Sequence, residues 1–337
     1  MVYPDSFEDK IGFSQVRQKV VDACVTPLGS EWASAIHASA DFAAVKSMQE
    51  DVIEFVDIIQ LHTDFPELAP VDIRNAIRKG RIPGSYLDIP EWLDIRRILA
   101  AVRQIEVFFE KKPAEVLPVT RGKAKQLKTF PFIQEKIDHV FNKTGQVKDQ
   151  ASPELKHIRQ EMLQLEAGIG RRMDAVLQQA RNEGWIEKDA QPSVRDGRLV
   201  IPVPATHKRR IPGLIHDESA TGRTAFVEPI ELVELNNELR ELELAEQREI
   251  MKILVELTNQ LRPYFPDMES WNEVMAIFDL TRAKAKLSIR WEGTRVALRE
   301  EPYIHWTRAR HPLLDLVFRQ EKKRVVPQDI HLDDKQR

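Results

Sequence analysis

Cysteine is almost missing from this chain: of 337 residues, only Cys24 carries a thiol. No intrachain disulfide can form, zinc sites of the usual Cys-rich kind are excluded, and a reducing cytoplasm is the natural compartment. Long apolar runs are missing as well. No stretch approaches the roughly 20 apolar residues of a membrane helix, and the acidic opening Met1–Lys10 lacks the apolar core of a signal peptide. The expectation is a cytoplasmic chain with no membrane partner. Nor is there an excess of positive charge, since 50 Lys and Arg stand against 53 Asp and Glu for a net charge of −3. Domains that coat nucleic acid by charge alone are strongly basic, so any nucleic-acid contact has to be local. Internal repeats and low-complexity tracts are absent. So is any G-x-x-x-x-G-K-[ST] stretch, the loop whose backbone N–H groups cradle phosphate at a helix N-terminus.

What is present is a soluble, globular composition, 42% apolar and 31% charged, in a chain long enough for two or three domains. From Phe7 to about Val107 apolar residues such as Val52, Phe55, Val56 and Ile59 recur at helical spacing. Turn chemistry at Thr26-Pro27-Leu28-Gly29, Phe65-Pro66, Arg81-Ile82-Pro83-Gly84 and Lys111-Lys112-Pro113 divides these helices. From Ser152-Pro153 the texture changes. Leu155, Ile158, Met162, Leu165 and Ile169 form one heptad-like seam, and Leu232, Leu235, Leu239 and Leu242 form another. The first run ends near Glu183-Gly184 and the second starts after Glu228-Pro229, so the two helices are expected to pair antiparallel as an arm that leaves and returns. At its far end Gly197–Val203, Ile211–Ile215 and Thr224–Val227 read as short strands. Prolines 202, 204 and 212 confine them to edges or bulges. Met268 to about Trp291 predicts another helix. Beyond it Thr294–Leu298, Tyr303–Trp306 and Arg324–Val326 look β-prone.

The local basic cluster is His207-Lys208-Arg209-Arg210, with Arg195, Arg198 and Arg223 expected on the same tip. Such residues at a β-tip suit phosphates, giving backbone contact without sequence readout. The plainer reading is a solvated loop, because Glu183, Glu187, Asp189, Asp217 and Glu218 are close in sequence. His216-Asp217-Glu218-Ser219 invites a catalytic reading, but neighbours in a strand point to opposite faces. A triad needs spatial convergence, so this stretch is read as a polar strand end with no catalytic residue. His311 has no second ligand at metal spacing, and no metal site is expected.

Six stretches, in this order, resemble the second, Smr-tailed subfamily of bacterial MutS proteins. They are Tyr3-Pro4 with Phe7-Glu8 and Lys10-Ile11-Gly12-Phe13; Thr26–Gly29; Arg195-Asp196-Gly197-Arg198; His216–Pro229; Glu234–Leu239; and Arg310–Leu314. The resemblance covers nearly the whole chain. It implies a mainly α fold: a helical lever or core domain over 1–150, an arm and clamp over 151–262 with a β-containing tip at about 190–229, a returning core helix over 263–293, and the β-rich start of an ATPase domain over 294–337. It also implies a phosphate loop of the form GPNxGGK[ST] shortly beyond Arg337, so that this chain holds no cofactor of its own while the full-length parent uses ATP and Mg. Val325 is placed by the same alignment at the adenine face of the nucleotide pocket, as a weak cofactor contact in the complete protein, against a plain apolar packing role. The implied parent is a homodimeric DNA-binding ATPase with an Smr endonuclease domain, linked to suppression of recombination on branched DNA. The alternatives are a ribosome-binding, ribosome-splitting quality-control module or a dimerisation arm with incidental DNA contact.

Overall fold

The computed structural model describes residues 6–301 and 303–332; Tyr3 and Pro4 of the opening motif and Lys335–Arg337 lie outside the described residues. The helices run α1 (Phe7–Lys10), α2 (Phe13–Ala23), α3 (Pro27–Ser34), α4 (Phe42–Leu61), α5 (Arg74–Gly80), α6 (Ile89–Glu110), α7 (Pro118–Ala124), α8 (Pro131–Val140) and α9 (Pro153–Asn182). Four strands follow, β1 (Ser193–Arg195), β2 (Arg198–Pro204), β3 (Gly213–Glu218) and β4 (Thr224–Pro229), then α10 (Ile230–Leu261) and α11 (Phe265–Arg290). The last elements are β5 (Ile304–Ala309), α12 (Pro312–Gln320) and β6 (Gln328–Leu332). The protein is mainly α with small antiparallel sheets. It divides into two compact units, one of Met1–Gln134 with Gln260–Arg337 and one of Glu135–Asn259.

In the first unit α11 buries residues along most of its length. Phe265, Met268, Trp271, Phe278 and Ala283 on it are fully buried, as are Phe55 on α4 and Trp92, Ile95 and Ile98 on α6. Each large side chain removed from water contributes roughly 1.5–3 kcal/mol. Two of the buried polar groups on α11 are matched: the Trp271 indole N–H donates to the Lys128 carbonyl at 2.9 Å, and the Asn272 amide oxygen accepts the Ile73 N–H at 3.3 Å.

Thr26-Pro27-Leu28-Gly29, expected as a turn, instead begins α3. Thr26 is the N-cap and accepts the Gly29 N–H at 3.0 Å, while Pro27 occupies the first turn, where its missing N–H costs nothing. A buried carboxylate from α11 completes the joint. Asp279 accepts the Val25 N–H at 2.8 Å, the Thr26 N–H at 2.7 Å and the Thr26 hydroxyl at 2.9 Å, and Arg282 donates to its other oxygen at 3.1 Å. A Cβ on Gly29 would sit 2.6 Å from Thr26 Oγ1 and 2.8 Å from Asp279 Oδ2, so this helix interior requires glycine.

Two of the expected strands are absent. Thr294–Leu298 is irregular, and Arg324–Val326 is unpaired coil; the strand starts only after Pro327, at Gln328, and pairs with β5. Proline has no N–H to give a ladder, which makes it a strand boundary here. Between β5 and β6 lies α12, unforeseen although Pro312 followed by Leu313, Leu314, Leu316 and Val317 is a helix-start pattern. The His311 ring lies 3.3 Å from the Ile11 carbonyl.

In the second unit α9 and α10 pair antiparallel. Ser152, Arg159 and Arg172 along α9 reach Glu249, Glu246 and the Glu231 carbonyl along α10, so partner numbers fall as those of α9 rise. Ser152 also caps α9 through the Leu155 N–H. The four-stranded sheet has the order β1-β2-β4-β3, all antiparallel. β1 covers only Arg198–Val200 of β2, so Pro202 and Pro204 face an open edge on that side. Alternation then puts Ile201, Val203, Ala225 and Val227 on the inner face, in one cluster with Ile169, Met173, Val176 and Leu177 of α9 and Leu232 of α10.

Candidate nucleic-acid interface

The opposite face of the tip sheet carries Glu228, whose side chain is fully buried at the end of β4. Arg198 of β2 donates to both its oxygens at 2.9 and 3.1 Å, Asn236 of α10 donates at 2.7 Å, and the His216 ring nitrogen of β3 closes the set. Arg198 further donates to the Asn237 amide oxygen at 2.6 Å. Burial by itself raises the Glu228 carboxyl, but hydrogen bonds from Asn236, His216 and Arg198 outweigh it and hold the group below the usual carboxylate range. Three of the motif stretches, Arg195–Arg198, His216–Pro229 and Glu234–Leu239, thus meet at one carboxylate. Sequence reasoning took His216 for a polar strand end and missed this knot. The available signal was a glutamate that closes an apolar strand directly before a helix.

The basic residues separate into two classes. Arg198 is committed to Glu228, and Arg195 stacks its guanidinium 4.0 Å from the Phe226 ring with Nε 3.6 Å from Asp217. Lys208 pairs with Glu218 at 2.8 Å, and the His207 ring lies 3.2 Å from the Trp185 carbonyl. Arg209, Arg210 and Arg223 are exposed and, among the described residues, hold no carboxylate. The Ala205 N–H donates to the Arg223 carbonyl at 2.8 Å, so Arg223 stands where β2 ends and β4 begins. Arg209 and Arg210 lie on the connection that runs from there towards Gly213, which pairs with Pro229 at the other end of β4, and the Arg210 N–H donates to the His207 carbonyl at 2.8 Å. Arg198 starts β2 six residues before Pro204, roughly 20 Å along the strand at about 3.3 Å per residue, away from Arg223.

Val325 is half-buried in the coil before Pro327, beside Val326, which is 73% exposed. Among the described residues no three His, Cys, Asp or Glu side chains are placed to hold a metal ion, and no helix is long and apolar enough to cross a membrane.

No family model matches the chain. Among curated proteins it is 32% identical over 322 residues to the endonuclease MutS2 of Geobacillus sp. (strain WCH70), covering 95% of this chain and 40% of that protein. It is 31% identical to the endonuclease MutS2 of Symbiobacterium thermophilum over 95% of this chain and 39% of that protein. With the putative endonuclease MutS2 of Bacillus subtilis (strain 168) it shares 30% identity over 95% of this chain and 40% of that protein. The chain therefore spans about 40% of the length of the curated relatives it matches. Nearly all of it is similar to a part of the MutS2 proteins, the second subfamily of bacterial MutS, as its motifs had implied.

Proposed function

We propose that the sheet-bearing end of the Glu135–Asn259 unit is a clamp tip that grips the phosphate backbone of branched or duplex DNA without reading sequence. The observation that carries this reading is that Arg209, Arg210 and Arg223, on the connections between the tip strands, are exposed and, among the described residues, pair with no carboxylate. The charge of the neighbouring helix supports a contact confined to this end. The first half of α10 presents Glu231, Glu234, Glu238, Glu241 and Glu243 against a single Arg240, a surface that repels phosphate.

In this reading the helical unit acts as the lever and 294–337 as the beginning of an ATPase domain. ATP and Mg, held by the phosphate loop that the resemblance implies, drive the lever in a homodimer in the cytoplasm, and Val325 lies near the base. The curated relatives are named endonucleases; in the proposed parent that activity, and the suppression of recombination in DNA repair, belong to the assembled machine. One tip with a few phosphate contacts binds weakly, on the order of 10⁻⁴–10⁻⁶ M, and two tips in a dimer gain through effective concentration.

Fluorescence anisotropy with a labelled four-way junction tests the reading. Replacing Arg209, Arg210 and Arg223 together by Ser is expected to lower affinity at least tenfold at low salt, with the far-UV spectrum unchanged. Undiminished binding by that variant would remove the tip from the interface. Salt-insensitive binding to ribosomes in its place would favour the ribosome-docking alternative.

A further inference from the structure

We propose that Glu228 is a latch that fixes the tip sheet at one angle on α10 and so determines where Arg209, Arg210 and Arg223 are presented; the second half of this statement rests on the nucleic-acid reading. β4 ends at Pro229 and α10 begins at Ile230, so no linker separates the sheet from the helix. Apolar packing of the inner face is non-directional and tolerates sliding. Direction comes from the outer face. One carboxylate there gathers β2 through Arg198, β3 through His216, its own strand β4, and α10 through Asn236. Arg198 adds a second tie to α10 through Asn237. The backbone follows the same plan. The Ile230 N–H donates to the Pro212 carbonyl at 2.9 Å, and Gly213 lets β3 approach so closely that a Cβ there would lie 2.0 Å from the Glu228 carbonyl oxygen.

Glu228 alternates along β4 with Val227 of the hydrophobic cluster and so stands on the other side of the sheet. Removing the charge therefore leaves the apolar core of the unit in place while it releases four elements from a common anchor. Glu228 touches none of the free arginines, so it is a positioning residue and not a contact.

The test uses the whole chain in a Cys24→Ser background, with spin labels at Thr221→Cys in the tip turn and Gln247→Cys on α10, both exposed. Pulsed dipolar spectroscopy is expected to give one narrow distance distribution in the parent and at least a twofold broader one in Glu228→Gln. Asn237→Ala, which loosens only the outer end of Arg198, is expected to broaden it less and serves if Glu228→Gln does not fold. Junction affinity is expected to fall about tenfold in Glu228→Gln, although every free arginine is retained. Unchanged distance widths in both variants would overturn the latch. Broadening without any junction binding, even by the parent, would leave the latch standing and sink the nucleic-acid reading.

Discussion

Two carboxylates that water does not reach, Asp279 in the helical unit and Glu228 in the tip, do similar work with different partners. Asp279 binds backbone as well as side chains: the N–H groups of Val25 and Thr26, then the Thr26 hydroxyl and Arg282. Glu228 binds only side chains, from Arg198, His216 and Asn236. A joint made to backbone is rigid and local to one helix start. A joint made to side chains gathers several neighbouring elements, here β2, β3 and α10, at one carboxylate, and each tie can be removed singly. The contrast separates a fastening inside the helical unit from one that can set an angle at the tip.

The largest effect should come from the backbone joint. Asp279→Ala leaves buried N–H groups and the Arg282 guanidinium without their acceptor, at a cost of about 3–5 kcal/mol. Urea unfolding monitored by tryptophan fluorescence measures it, and a loss below about 1 kcal/mol would break the comparison at its stronger end.

Glu228 sets a pH window. Its folded carboxyl titrates below the ordinary value near 4.5, so its contribution is complete above that value and is lost as pH falls through the lower, folded one. Hydrogen bonds to charged groups contribute about 1.5–3 kcal/mol. Stability of the parent should therefore decline below about pH 4.5 more steeply than that of Glu228→Gln. Asp72, which Arg74 holds low against the effect of its burial, adds a slope of the same sign in both proteins. Equal slopes in parent and variant would show that the tip carboxylate is not ionised in its knot.

Gly29→Ala is a smaller perturbation of the first joint. Alanine gains about 1 kcal/mol in helix propensity, but its Cβ would press on Thr26 Oγ1 and Asp279 Oδ2. Overpacking of this kind costs about 1–3 kcal/mol. A net loss is expected, and it should shrink in an Asp279→Ala background because the two residues touch. Strict additivity would argue against the joint.

The smallest effect is chemical. Burial pushes the Cys24 thiol up to about 12, with Asp279 adding to it against Arg282 and Lys284. Alkylation by iodoacetamide at pH 8 should be far slower than for a free thiol, and faster in Asp279→Ala.

Periodicity made the long elements legible. The seam at Leu155–Ile169 and the Leu232–Leu242 series mark α9 and α10, and the β-prone runs mark β2, β3 and β4. Punctuation was less readable. Thr26–Gly29 has turn residues, yet Asp279, more than 250 positions away, makes it a helix start. Arg324–Val326 has strand composition, yet Pro327 moves pairing to the residues after it. At the tip the cluster of cations was visible, but their division was not. Whether an arginine is free depends on which carboxylate the fold brings to it, and only the register of β2, β3 and β4 shows that Arg198 is committed while Arg209, Arg210 and Arg223 are open.

The most direct test of the central claim is the salt dependence of junction binding by the parent and by the Arg209→Ser, Arg210→Ser, Arg223→Ser variant. Each phosphate neutralised on duplex DNA contributes about 0.9 to the slope of log affinity against log salt. If all three arginines meet phosphate, the variant's slope should be shallower by about 2.7. Identical slopes would contradict the account, because the free arginines of the tip would then not be what meets the nucleic acid.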